Sequence, residues 1–321
     1  MSSAEGFQRK LIVSHFDSEA TSEPALGAGV DECWMDFDGA RMRYLRAGSG
    51  PPVILLHGLL GYSFSWRFTI PALAPYATVY ALDMMGAGFS DRPRGIDHSM
   101  RGAAQRVLQF VERRGISLFD LVGTSHGGAV AMMVAAECGR ATNGPRLRRL
   151  VLVAPVNPYS VHGQRLAPAV GSPFGSAIFR ALIGHMRALY PYWHARMYGE
   201  RGRIPGDAFE GYLAPLAKPN LFEHALGIVS TWTKDLHMLE SILPELGNVP
   251  TLLLWGSKDP AVYASSAVRL QKHFANSRLI VFSDIGHLPY EECPEEFNRA
   301  VVEFLIAGDV ALTAGLKPVN H

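Results

Sequence analysis

Short, continuous apolar runs punctuate this chain and constrain its fold more than any other feature. They read PPVILLHG, ATVYALD, SLFDLVG, RRLVLVAP, PTLLLWG and RLIVF. Each is long enough for one strand, and an unbroken apolar run is the mark of a strand covered on both faces. Between them lie stretches with helical character. Ser99 to Arg114 carries Val107, Leu108 and Val111 at helical spacing, and Gly127 to Glu137 is rich in Ala, Val and Met. A segment near Ala264 to Phe274 and a closing stretch from Pro294 to Ile306 read the same way. Strands alternating with helices predict a parallel sheet with both faces covered. Upstream, WMDFDG followed by RMRYLRAG predicts two further strands around an Asp-Gly turn.

The alternation breaks after Pro155. From Asn157 to Leu243 the chain has scattered helical patterns, many aromatics and several prolines, and the strand pattern resumes at PTLLLWG. The fold class that fits is α/β, a mostly parallel central sheet flanked by helices with an inserted helical cap. The expected division is an N-terminal arm over 1–31, a core over 32–156 and 244–321, and a cap over 157–243. No internal repeat interrupts this order.

Composition narrows the function classes. Hydrophobic residues make up 48% of 321 and charged residues 18%, enough for a sizeable core. A formal net charge of +1 gives no general attraction to nucleic acid or anionic lipid. The three cysteines, Cys33, Cys138 and Cys293, are far apart and show no metal-ligand spacing, so free thiols in a reducing compartment are expected. MSSAEGFQRKLIV lacks the apolar stretch of a signal peptide, and no apolar run approaches the roughly 20 residues of a membrane span. The expectation is a cytoplasmic protein with no integral membrane segment. Around Ile178 to Tyr190 an amphipathic face exists, with too few basic residues for a lipid surface.

One junction stands out chemically. In LVGTSHGGAV, residues 121–130, Ser125 comes directly after a buried strand and directly before an Ala-rich helix. A serine on so sharp a turn needs small neighbours, which Gly123, Gly127 and Gly128 supply. The turn would lift its hydroxyl above the sheet edge, where open α/β sheets bind ligands. A plain helix N-cap serine would suit the same position.

Five landmarks then occur in order, each at a predicted strand end: ILLHG at 54–58, DMMGAGFS at 83–90, GTSHGG at 123–128, WGSKDP at 255–260 and GHLPYEECP at 286–294. Together they make the sequence resemble the α/β-hydrolase family over roughly residues 34–308, in its serine-nucleophile, esterase-like branch with a helical cap. The resemblance implies Ser125 as nucleophile, His287 in DIGH as base and Asp259 after TLLLWG as the acid. The order Ser, Asp, His is the one this fold uses. It further implies an oxyanion hole from the backbone N–H groups of Leu59 and His126. Some relatives carry the acid after the strand that here reads LVLVAP, but Asn157 is neutral. Asp284 reads as a turn residue, His57 as a brace for its loop, and Asp83 as the anchor of the DMMGAG turn. Haloalkane dehalogenases and epoxide hydrolases of the family use an aspartate nucleophile where this chain has Ser125. The dehalogenases also place a halide-binding tryptophan where His126 stands, and Leu59 lacks the polar side chain often used there for halide.

These readings converge on a serine hydrolase that cleaves carboxylic esters of apolar small molecules through an acyl-serine intermediate, with no cofactor and no metal. The aromatic composition of the cap predicts a neutral or weakly polar substrate with an apolar acyl or alcohol part. A C–C bond hydrolase of ring-cleavage products, a cofactor-free haloperoxidase or perhydrolase, an aminopeptidase and a lactonase share the same three residue types. A ligand receptor built on this fold is the alternative from another class.

Overall fold

The computed structural model describes residues 26–160, 169 and 172–306. Strands β1 (Val30–Phe37) and β2 (Ala40–Ala47) form an antiparallel hairpin. Asp38 and Gly39 close it with φ of 55° and 94°. Two consecutive residues at positive φ give a turn whose twist matches that of the flanking strands, and Asp-Gly adopts it with little strain. The hairpin starts at Val30 rather than Trp34, because the alternating half-exposed residues before Trp34 pair with β2 as far as Ala47. The start of the sheet therefore reaches into the segment expected to be an arm; residues 1–25 of that arm lie outside the described residues, as do 161–168 and 170–171 of the expected cap and 307–321.

The apolar runs form strands where they were expected. In chain order come β3 (Pro52–Leu56), β4 (Thr78–Leu82), α1 (Met100–Arg113), β5 (Leu118–Thr124), α2 (His126–Arg140) and β6 (Arg146–Val153). A helical insertion follows, with α3 (Pro173–Ala195), α4 (Ala208–Leu213) and α5 (Leu221–Ile242). The chain then returns to the sheet through β7 (Thr251–Gly256), α6 (Ser265–Gln271), β8 (Ser277–Phe282) and α7 (Pro294–Ile306). Ser99 caps α1 by accepting a hydrogen bond from the Gly102 amide at 3.0 Å, which fixes the helix start.

One eight-stranded sheet runs in the order β1-β2-β4-β3-β5-β6-β7-β8, antiparallel across β1/β2 and β2/β4 and parallel elsewhere. The unbroken apolar runs now have a cause. Ile54, Leu56, Leu121 and Leu152 point into one core, which they share with buried residues of α1 and α2. Val53, Leu55, Val122 and Val151 point into a second core with Phe297, Val301 and Leu305 of α7. Successive strand residues face opposite sides, so two covered faces demand apolar residues at every position. A third cluster joins Tyr190, Tyr212, Leu221 and Phe222 of the insertion to Tyr62 and Phe64 of the sheet domain. The insertion's aromatics thus pack on the domain below them as well as on each other.

Strand order also places the site. From β3 the chain moves to β4 on one side, whereas β5 lies on the other, so the loops after β3 and β5 diverge at a common edge. That divergence opens a crevice beyond the carboxyl ends of the strands.

Candidate active site

A single residue makes the turn from β5 to α2. Ser125 sits at φ 52° and ψ −118°, a conformation that a residue with a Cβ holds only when its surroundings enforce it. Here its amide donates to the Val153 carbonyl at 2.9 Å, while its carbonyl accepts from Gly128 at 3.0 Å and Val156 at 3.0 Å. The packing leaves no room for side chains nearby. A Cβ on Gly123 would lie 2.4 Å from the Gly127 carbonyl oxygen, and one on Gly127 would lie 2.3 Å from that of His57. Ser125 occupies the N-cap position of α2, yet its side chain makes no capping hydrogen bond. The plain N-cap reading is therefore not what the hydroxyl does.

The loop after β3 lies beside this turn because Leu56 pairs with Gly123. A Cβ on Gly58 would meet the Ser125 Cβ at 3.2 Å. Leu59 belongs to a tight turn in which the Gly61 amide donates to the Gly58 carbonyl at 3.0 Å, with Leu60 at φ 60°. The His126 amide is the first of α2, among those that a helix leaves without an internal partner. His57 braces the loop, as expected: Nδ1 meets the Gly58 carbonyl at 2.8 Å, and Nε2 accepts from the Met84 amide at 3.0 Å. Burial pushes its pKa down, so the ring stays neutral with its proton on Nδ1.

Asp259 and His287 come together from the loops after β7 and β8. His287 Nδ1 donates to Asp259 Oδ2 at 2.7 Å, and Asp259 Oδ1 accepts from the amides of Ala261 and Val262, both at 2.8 Å. A carboxylate only accepts, so the proton belongs on Nδ1 and Nε2 is left with its lone pair. The His287 amide in turn donates to the Met197 carbonyl of the insertion at 2.7 Å. The other carboxylates have separate occupations. Asp284, at φ 62°, is exposed and pairs with Lys258 at 2.8 Å, which holds its carboxyl below the usual range. Asp83 is buried and accepts from the Phe89 amide of its own turn at 2.9 Å, and also from the Ser63 amide at 2.8 Å. Asn157 is spent on the Pro155 carbonyl at 2.9 Å and the Tyr159 amide at 3.0 Å.

A cleft opens next to the Ser125 turn. Gly58, Leu59, Leu60, Met84 and Met85 line it from the sheet domain, with Leu221, Ala225 and Ile228 of α5 opposite. Ser125 and His287 stand outside this lining, and the cleft borders the Ser125 turn through Gly58 and His126. His98, Arg106, His126 and His224 complete its walls. Sequence reasoning singled out only His126 among these. The available signal was Arg106 itself, a cation on α1 directly before the buried Val107.

With this geometry, residues 51–294 match the model of the alpha/beta hydrolase fold family, and the chain belongs to that family. It is a hydrolase of this superfamily. Haloalkane dehalogenase 2 of Mycobacterium tuberculosis is 28% identical over 291 residues, covering 84% of this chain and 93% of that protein. The 2-hydroxy-6-oxo-2,4-heptadienoate hydrolase of Pseudomonas putida is 26% identical over 271 residues, covering 82% and 91%. Among solved structures, the Cif epoxide hydrolase from Acinetobacter nosocomialis shares the fold with a TM-score of 0.78 at 15% identity, over 93% of this chain and 96% of its own. Among the described residues, no helix is long and apolar enough to cross a membrane.

Proposed function

We propose that this chain is a serine hydrolase of carboxylic esters of apolar small molecules, acting through an acyl-serine intermediate beneath a helical cap formed by residues 157–243. The observation that carries this reading is the buried His287–Asp259 hydrogen bond, which leaves an imidazole lone pair on the same sheet edge as Ser125. A serine hydroxyl is a weak nucleophile until a base takes its proton, and that base needs an acid to hold its tautomer. In the proposed mechanism, His287 Nε2 takes the Ser125 proton as Oγ attacks the ester carbonyl. Asp259 stabilises the imidazolium without itself being protonated. The developing oxyanion accepts from the amides of Leu59 and His126, each contributing about 3 kcal/mol. The tetrahedral intermediate collapses, the alcohol leaves with the proton from His287, and an acyl-Ser125 remains. Water, deprotonated by the same nitrogen, then attacks the acyl carbon and frees the acid and the serine.

Displacement chemistry of the dehalogenase or epoxide hydrolase kind needs a carboxylate nucleophile, and the turn here carries a hydroxyl. The second reading, hydrolysis of a C–C bond in a ring-cleavage product, uses the same three side chains and is favoured by the likeness to the heptadienoate hydrolase. A panel of p-nitrophenyl esters of increasing chain length, with Ser125→Ala as control, tests the proposal. The expected result is turnover that Ser125→Ala lowers by at least about 10³-fold while thermal stability stays nearly intact. Unchanged turnover in Ser125→Ala would remove the assigned nucleophile. A vinylogous diketone cleaved with far higher kcat/KM than any ester would replace the first reading with the second.

A further inference from the structure

The cleft beside the Ser125 turn holds more unsatisfied polarity than an apolar substrate can use. Arg106 lines it at the junction with a smaller neighbouring pocket, shared through Met84, Met85 and Ala103. Arg106 is half-buried. Two other arginines are ion-paired: the buried Arg43 holds Glu32 at 2.7 Å and Asp83 at 3.2 Å, and Arg67 holds Asp207 and Glu291, both at 2.9 Å. The half-buried Arg92 bonds the carbonyls of Ser90 and Gly88. Arg106 forms no ion pair among the described residues. Its one hydrogen bond goes to the Asp97 backbone carbonyl at 2.8 Å. Burial pulls its pKa down, opposed by the charge of the Asp97 carboxylate, which itself accepts from the Ser99 amide at 2.9 Å.

Three imidazoles share the cleft with it. His126 is 3% exposed and its Nε2 has no partner, and neither has His98 Nδ1. His98 and His224 lie with ring centroids 4.7 Å apart, each seated on a glycine of the opposite half of the molecule. A Cβ on Gly86 would come within 1.9 Å of the His224 ring, and one on Gly227 within 2.5 Å of the His98 ring. Burial, followed by neighbouring imidazoles and Arg106, pushes the pKa of His126 and His224 down to about 3, so both rings are neutral and each keeps one N–H to donate. Among the described residues no three His, Cys, Asp or Glu side chains are placed to share a metal ion. What these groups lack is an acceptor carrying one negative charge. A guanidinium fork with neutral N–H donors around it matches a carboxylate.

We infer that this cleft binds a carboxylate at the far end of the substrate's acyl chain, so that the preferred esters are monoesters of dicarboxylic acids, with Arg106 as the anchoring cation. The inference rests on the ester-hydrolase reading. The side of the ester follows from the site. The leaving alcohol departs with a proton from His287, which does not line the cleft, whereas Leu59 and His126, assigned to the carbonyl oxygen, do. The acyl chain therefore enters the cleft, past Met84 and Met85 toward Arg106. This replaces the neutral substrate expected from the aromatic composition of residues 157–243 with a monoanionic one whose chain is otherwise apolar.

The test compares isosteric pairs that differ only in the terminal group: mono-p-nitrophenyl adipate against p-nitrophenyl hexanoate, and mono-p-nitrophenyl pimelate against p-nitrophenyl heptanoate. The ratio of kcat/KM, anionic over neutral, is expected to favour the anionic ester by about tenfold or more. Arg106→Gln should lower that ratio by about tenfold, and Arg106→Lys, which keeps the charge, should retain most of it. In parallel, monomethyl adipate should raise the Tm of Ser125→Ala and fail to do so in the Ser125→Ala, Arg106→Gln double variant. Neutral and anionic esters turned over equally, or a preference unchanged in Arg106→Gln, would overturn the subsite and leave the esterase reading standing. Carboxylate stabilisation that depends on Arg106, with no ester turned over, would support the subsite and overturn the esterase reading.

Discussion

Two buried carboxylates, Asp259 in the loop after β7 and Glu291 in the short helix Pro289–Glu292, are held in opposite ways. Asp259 gives one oxygen to two backbone amides and the other to His287, whose second ring nitrogen stays available. Glu291 sits four residues beyond His287 and is saturated by side chains. Arg67 Nη1 donates to it at 2.9 Å, and the hydroxyls of Tyr198 and Tyr212 each donate to one of its oxygens. Burial raises the pKa of both tyrosines, and the Glu291 charge raises it further. For Arg67, burial is the largest single influence and lowers the pKa, but Glu291, Tyr212 and Asp207 together outweigh it and the pKa is raised. Tyr198, Tyr212 and Asp207 belong to the insertion, whereas Arg67 and Glu291 belong to the sheet domain, so this network fastens one to the other. The difference teaches that burial alone does not make an acid chemical. What matters is whether its partner keeps an unspent lone pair.

Substitutions separate the two roles. Asp259→Asn keeps an oxygen for the amides of Ala261 and Val262 but favours the wrong tautomer of His287. It should cut kcat/KM on a p-nitrophenyl ester by about 10⁴-fold, read by steady-state kinetics, with little change in Tm. Glu291→Gln should do the reverse, destabilising the fold by about 3 kcal/mol in denaturant unfolding because it leaves Arg67 short of a buried countercharge. Equal losses of activity in the two variants would break the contrast.

Acid should expose a third kind of buried group. His126 and His224 are pushed down to about 3, and His194, stacked among Tyr190, Tyr198 and Tyr212, to about 4, burial being the main cause in each. Their folded pKa values lie below the unfolded value of about 6.5, so the unfolded chain binds their protons first. Stability is therefore full above that value and falls as pH drops from about 6.5 toward 4, by about 1.4 kcal/mol per pH unit for each such histidine. Unfolding free energies across that window should show the slope, and His194→Phe should reduce it by about a third. The smallest effect belongs to Asp284→Asn. Its carboxylate is exposed on Lys258, so neither turnover nor Tm should change measurably; a large loss of turnover would move the acid from Asp259 to Asp284.

The parts of the molecule that could be read in advance were those governed by neighbours in the chain. Val53 and Leu55 face one core and Ile54 and Leu56 the other, and this leaves an unbroken apolar run in the sequence. Ser125, Asp259 and His287 each follow such a run closely, so the strand pattern carries them to one edge. Glu291 was opaque because nothing in the landmark GHLPYEECP marks this glutamate as buried. Its burial depends on Arg67, 224 residues away, and on tyrosines of an insertion without a strand pattern. Arg106 was opaque for the same reason, since the wall opposite it is α5, far along the chain. The hairpin start at Val30 was missed because its residues alternate between exposed and half-buried on an edge strand.

The central claim is that Ser125 Oγ forms the covalent bond to the acyl group. Incubation with p-nitrophenyl dimethylcarbamate, followed by peptide mass analysis, tests it most directly, because a carbamoyl-serine hydrolyses slowly. The account predicts one equivalent of p-nitrophenolate per chain, loss of esterase activity and a carbamoyl mass on Ser125. A carbamoyl group on another residue, or full esterase activity after stoichiometric labelling of Ser125, would contradict it.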